Sequence, residues 1–103
     1  MQAILEKLVE LNIQLMPLPQ VERHWVFERG GYLALVERTR ENGFGGIGSA
    51  GLLTASGMAV LVKRGGGHAF VAKGFEVNAT AEQVESLRRF ADDLKTALSM
   101  PLR

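Results

Sequence analysis

Residues Gly43–Ala55 read GFGGIGSAGLLTA, and the fold turns on whether this stretch is strand or helix. A helix would place Gly46, Gly48 and Gly51 in its interior, each costing up to about 1 kcal/mol relative to alanine. A strand pairs it with Met58–Lys63 across Ser56-Gly57, with Leu53 facing Val60. The strand is the better reading. Its glycines then mark bulges, strong bending, or close approach by a packed helix or a ligand.

The flanking segments alternate in the same way. Met58–Lys63 and His68–Lys73 form a hairpin across Gly65-Gly66-Gly67, which sets Val62 against Phe70 and Leu61 against Val71. Upstream, His24–Arg29 and Tyr32–Glu37 are rich in aromatic and β-branched residues. Gly30-Gly31 between them suits a two-residue hairpin turn. That turn pairs Arg29 with Tyr32, Phe27 with Ala34, Trp25 with Val36 and His24 with Glu37. Ile13–Leu18, with Pro17 and Pro19, must be extended or loop, because proline cannot continue a helix.

The two ends follow a helical period. Ile4, Leu8 and Leu11, widened by Leu5 and Val9, predict an amphipathic helix over about 2–11, with Asn12 suited to the left-handed position that ends it. Thr80 and Gln83 have capping-box spacing. Val84, Leu87, Ala91, Leu94 and Leu98 then recur at three and four residues, predicting a helix over about 81–99 that Pro101 stops. The expected architecture is one α+β domain over residues 1–103. An N-terminal helix, an antiparallel meander of about five strands over 24–74 and a long C-terminal helix compose it, with both helices on one face of the sheet.

Composition narrows the function classes. The chain has 103 residues and no cysteine, which excludes a disulfide scaffold, a thiolate metal site and a cysteine nucleophile. Glu6 and Glu10 interrupt the N-terminal apolar pattern and no basic segment precedes it, so it does not read as a secretory signal. No apolar run approaches the length of a membrane span. A cytoplasmic location without membrane attachment is the expectation. Net charge is +1, too balanced for a general argument for nucleic acid or membrane surfaces.

The charge is unevenly placed, however. All twelve glycines lie between Gly30 and Gly74, and that same stretch holds five basic residues against two acidic ones. The glycine-rich middle is therefore also the basic part.

Gly43–Gly48 matches G-x-G-x-x-G literally. A phosphate cradle needs those glycines between a strand and a helix, so that backbone N–H groups and the helix dipole meet the anion. Here six polar residues precede the first glycine, and no acidic residue follows before Lys73 to hold a ribose. The glycine-rich loop of protein kinases is excluded by the short chain and by the absence of H-R-D and D-F-G. No G-K-[ST] of a Walker A loop occurs. Phosphate or nucleotide binding on the Gly43–Gly48 loop is kept as an alternative, with no cofactor and no metal expected.

The meander itself offers a stronger candidate. Alternate connections fall at one end of the sheet, so the 38–45 loop and the 64–68 turn should share an end. That end gathers His24, Glu37, Arg38, Arg40, Lys63, Arg64 and His68. The ligand-binding candidates are Arg38, Arg40, Gly43, Gly45, Gly46, Lys63 and Arg64, because arginine and lysine hold anionic groups. His24, Glu37 and His68 are the candidate acid–base set, since a histidine beside a carboxylate is the element of a general base. No hydroxyl or thiol nucleophile accompanies them.

Trp25, Phe27 and Tyr32 share a face and read as core under a helix rather than a stacking platform. Arg29 is the one basic residue beside them, which disfavours nucleic acid. The wide apolar stripe of 2–11 and the exposed sheet edges suggest a homodimer. The functional expectation is a small non-catalytic binding or interaction module with an anionic ligand or protein partner at the basic rim. The alternative is a small enzyme using a His/Glu pair there.

Overall fold

The computed structural model describes residues 2–16, 23–41, 43–55 and 57–99. Helix α1 (Gln2–Glu10) is followed by strands β1 (Gln14–Leu15), β2 (His24–Arg29), β3 (Tyr32–Arg38), β4 (Phe44–Thr54), β5 (Gly57–Arg64), β6 (Gly67–Ala72) and β7 (Phe75–Ala79), then helix α2 (Ala81–Leu98). The strands form one antiparallel sheet in chain order, β1 to β7. The fold is α+β, and the sheet has seven strands rather than about five.

Both additional strands are short edges. β1 is two residues of the segment read as extended or loop, of which residues 17 and 18 lie outside the described chain. β7 lies past Gly74, where Phe75-Glu-Val-Asn-Ala79 alternates apolar and polar residues. That period of two is a strand signal, and the expected sheet ended one residue before it.

α1 ends as its sequence dictates. Asn12 takes φ 60°. The Ile13 N–H donates to the Leu8 carbonyl at 2.9 Å and the Asn12 N–H to that of Val9 at 3.0 Å. This is a Schellman ending, with its usual apolar contact supplied by Leu8 and Ile13, both buried in the core. α2 begins with the expected capping box. The Gln83 N–H donates to Thr80 Oγ1 at 3.1 Å, and the Thr80 N–H donates to Gln83 Oε1 at 2.9 Å. Pro101, expected to stop α2, lies outside the described residues.

One set of alternating sheet positions meets both helices. Phe27, Ala34, Val36, Ala59 and Phe70 pack with Ile4 and Leu8 of α1 and with Leu87, Phe90, Leu94 and Ala97 of α2. Arg29 fastens this layer. Its guanidinium donates to Asp93 Oδ2 at 2.8 Å and to the Leu11 carbonyl at 3.3 Å, and it lies 5.5 Å from the centre of the Phe90 ring. The end of β2 is thereby tied to both helices.

Residues 43–55 contain strand, not helix. β4 is the longest strand, and its pairing with β3 slips twice. Tyr32, Leu33 and Ala34 face Leu52, Gly51 and Ala50, then Val36 faces Ile47 and Arg38 faces Phe44. Each slip gives β4 one residue more than β3, which is a β-bulge. The extra residues fall among Gly45, Gly46, Gly48 and Ser49, as the bulge reading of the glycines expects.

One hairpin register agrees with the expectation and two are displaced from it. β2 and β3 pair in the expected register throughout. β5 and β6 are offset by one residue from the expected pairing. Leu61 faces Phe70 and Val62 faces Ala69, because the turn is Gly65-Gly66 and Gly67 already pairs with Arg64. β4 and β5 are offset by two, Leu53 facing Met58 and Gly51 facing Val60. A two-residue offset leaves every side chain on its original face. Gly57 thus belongs to β5, while Ser56 of the expected turn lies outside the described residues.

Candidate functional site

The β4–β5 ladder consists of four residue pairs, Gly51–Thr54 with Gly57–Val60. Beyond them the two strands part. Phe44–Ala50 continue along β3, and Leu61–Arg64 continue along β6. The sheet is therefore whole at one end and split at the other.

Two local causes produce the split. The bulges bend β4, and its leading end curls onto the helix-covered face. There the Phe44 ring lies 5.5 Å from that of Trp25 and 5.7 Å from that of Phe27. The Trp25 Nε1–H donates to the Gly43 carbonyl at 3.0 Å and holds the hairpin tip in that position. At the last pair before the split, Gly51 with Val60, the two strands come unusually near. A Cβ placed on it would lie 1.9 Å from the Ala59 carbonyl oxygen. The branch point tolerates only glycine at this position.

Helix α2 runs along the split. A cavity of about 510 Å³ opens there, lined by Gly48, Ser49 and Ala50 of β4, Val60 and Leu61 of β5, and Val84, Leu87, Arg88 and Ala91 of α2. A second, of about 370 Å³, lies further along β4 between Gly45–Ile47 and Lys95, Leu98 and Ser99. Sizes of this order are those of ligand-binding clefts.

The expected rim residues take their places on the two prongs of the split. Arg38, Arg40, Gly43, Gly45 and Gly46 lie at the β3–β4 tip, and Lys63 and Arg64 lie at the β5–β6 tip. Each arginine or lysine here is exposed. Arg38 stacks on Trp25, its Cζ 4.1 Å from the ring centre, and Arg64 meets Glu76 at 3.3 Å. Arg40 and Lys63 make no ion pair among the described residues. Gly45 accommodates the Glu37 side chain, since a Cβ there would sit 3.0 Å from that of Glu37.

The two histidines do not come together. His24 is paired with Glu37 on the face away from the helices. His68 lies between Lys63 and Ala79, in register with the positions that bear the helices. They are on opposite faces and four strands apart. Glu37 leans toward Gly45 on β4. No group of three or more metal-ligating side chains occurs among the described residues. Gly43–Gly48 enters strand β4 directly and no helix follows it, so the backbone geometry of a phosphate loop is not formed. Trp25 and Phe27 lie in the helix-covered layer, as the core reading expects.

Sequence reasoning passed over Arg88. It flanks the Val84–Leu87–Ala91 stripe of α2, reaches the groove, and meets Glu85 Oε2 at 2.7 Å. Its place beside an apolar stripe that faces the sheet was the available signal. Glu28 was also passed over. It is 9% exposed, accepts from Gln14 Nε2 and from the Gly31 N–H at 2.8 Å, and these bonds hold its carboxyl below its ordinary pKa of 4.5. It lies at the opposite end of the sheet from the basic prongs.

Comparison with protein-family models, with curated proteins and with solved structures gives no match to this chain.

Proposed function

We propose that the chain is a small non-catalytic binding module that takes an anionic ligand or partner at the mouth of the β4–β5 split. One observation carries this reading. The ladder stops after four residue pairs, and the prongs beyond it bear Arg38 and Arg40 on one side and Lys63 and Arg64 on the other. Cations on two sides of an opening hold a multivalent anion better than cations spread on a flat surface.

The prongs supply charge and the strand edges supply backbone donors, which suit the holding of an anionic ligand or partner. The homodimer and the cytoplasmic location belong to the same proposal. In support of a dimer, α1 leaves Leu5 46% and Val9 75% exposed on one flank, an apolar strip available to a second copy.

The test is amide and side-chain NMR during titration with inorganic pyrophosphate and with citrate. Signals of Arg38, Arg40, Gly43, Lys63 and Arg64 should move together. The response should vanish at high salt and in the R38Q/R40Q/K63Q/R64Q variant. Unmoved signals in the native chain would sink the reading. Light scattering of the native chain and of V9E measures the dimer.

A further inference from the structure

We infer that the split between β4 and β5 accepts an added strand, an extended acidic segment of a partner protein. The inference rests on the mouth being a binding site and names what enters it.

The backbone is the first argument. Phe44–Ala50 and Leu61–Arg64 each use one edge in a ladder, with β3 and with β6. Their other edges face each other across the groove without a strand between them. Unpaired N–H and C=O groups along a strand edge are a template for another chain. The outer edges of the sheet are short strands, β1 and β7. The split is different, because it presents two edges to the same space.

The glycine cluster is the second argument. Gly46 has no heavy atom within 4 Å of a constructed Cβ, and Gly48 only the Leu35 carbonyl oxygen at 3.7 Å. Neither position is glycine because the fold lacks room for a side chain. The bare backbone they leave along β4 lets a guest backbone approach closely.

Side chains set the chemistry of the guest. The groove wall toward α2 is apolar, formed by Ala50, Leu61, Val84, Leu87 and Ala91. Residues of an extended guest alternate between two sides, so every second one should be a small apolar residue facing this wall. At the mouth the guest meets Arg38, Arg40 and Lys63, with Arg64 beside them on the β5–β6 tip, and deeper in the groove it meets Arg88. The carboxylates that hold two of these arginines, Glu76 of β7 on Arg64 and Glu85 of α2 on Arg88, belong to exposed ion pairs that a competing carboxylate can displace. The paired length is about four residues, the length of Leu61–Arg64.

The probe is a blocked heptapeptide of alternating valine and threonine ending in two aspartates, titrated into the isotope-labelled full chain. Amide shifts should concentrate in 44–50 and 61–64. Methylating alternate backbone nitrogens of the peptide removes its main-chain donors toward one of the two edges and keeps its charge. This should weaken binding about tenfold or more, as expected for the loss of two or more hydrogen bonds. Equal affinity of the methylated peptide overturns strand addition, as do shifts confined to β7 or β1, or dimerisation in place of binding. No response to the peptide, with pyrophosphate still moving the basic side chains, overturns strand addition and leaves the anion site standing. No response to either probe removes both readings.

Discussion

The β2–β3 and β4–β5 hairpins are neighbours in one sheet and are built on opposite plans. β2 and β3 pair along six consecutive positions, His24 with Glu37 through Arg29 with Tyr32. Their inward residues, Phe27, Ala34 and Val36, are fully buried. β4 and β5 pair along four positions and then diverge. The first hairpin is a support, fastened through Arg29 to both helices. The second is hinged at Gly51 and open at its far end. Turn chemistry and side-chain packing hold one closed, while glycine bulges hold the other apart.

The largest loss is expected on the packed side. Phe27→Ala leaves a cavity under both helices and should cost about 3–5 kcal/mol, read by urea denaturation. Next comes Gly51→Ala. Its methyl would collide with the Ala59 backbone, which cannot move aside as a side chain can. A loss of about 3 kcal/mol is expected, the upper part of the overpacking range. Hydrogen exchange should show β5–β7 losing protection before β2–β3. Equal loss in both regions would mean that the sheet opens as one unit and that the hinge description is wrong.

Acid sharpens the contrast in the other direction. The Glu28 carboxyl is held below 4.5 by the folded state. Its contribution is therefore fully present above that pH and is lost as pH falls through the lowered value. Denaturation midpoints of the native chain should decline below about pH 4.5 more than those of Glu28→Gln, with the loss centred on β1–β3. The smallest effect is expected for Gly46→Ala. It has open space for the methyl and should change stability by less than about 0.5 kcal/mol. The contrast between Gly46→Ala and Gly51→Ala is the sharpest available check that one glycine closes the sheet and another leaves its edge bare.

The same two regions explain what was legible in the sequence. Gly30-Gly31 admits one tight turn, with φ of 61° and 89°, and the whole β2–β3 register follows from it. Three glycines at 65–67 admit more than one turn. The two-residue turn begins at Gly65, with φ 56°, and the three-glycine loop read from sequence shifts the register by one. The helices were legible because caps and period agree at Thr80, Gln83 and Asn12. β7 was written plainly in Phe75–Ala79 and lay beyond the expected boundary. The ends of the basic prongs were legible because meander topology fixes which connections share an end. The split was not. It depends on how far two bulges bend β4, and the glycines mark where bending is allowed without specifying its extent.

The identity of strand order and chain order has a kinetic consequence. Each strand pairs with its neighbour in sequence, so the sheet can grow by successive hairpins, each closing a short loop. The span-the-chain event is the meeting of Ile4 and Leu8 with Leu87–Ala97. Closing that distance should come late in folding. Substitutions in α1 should then mainly accelerate unfolding, and those in the β2–β3 turn should mainly slow folding.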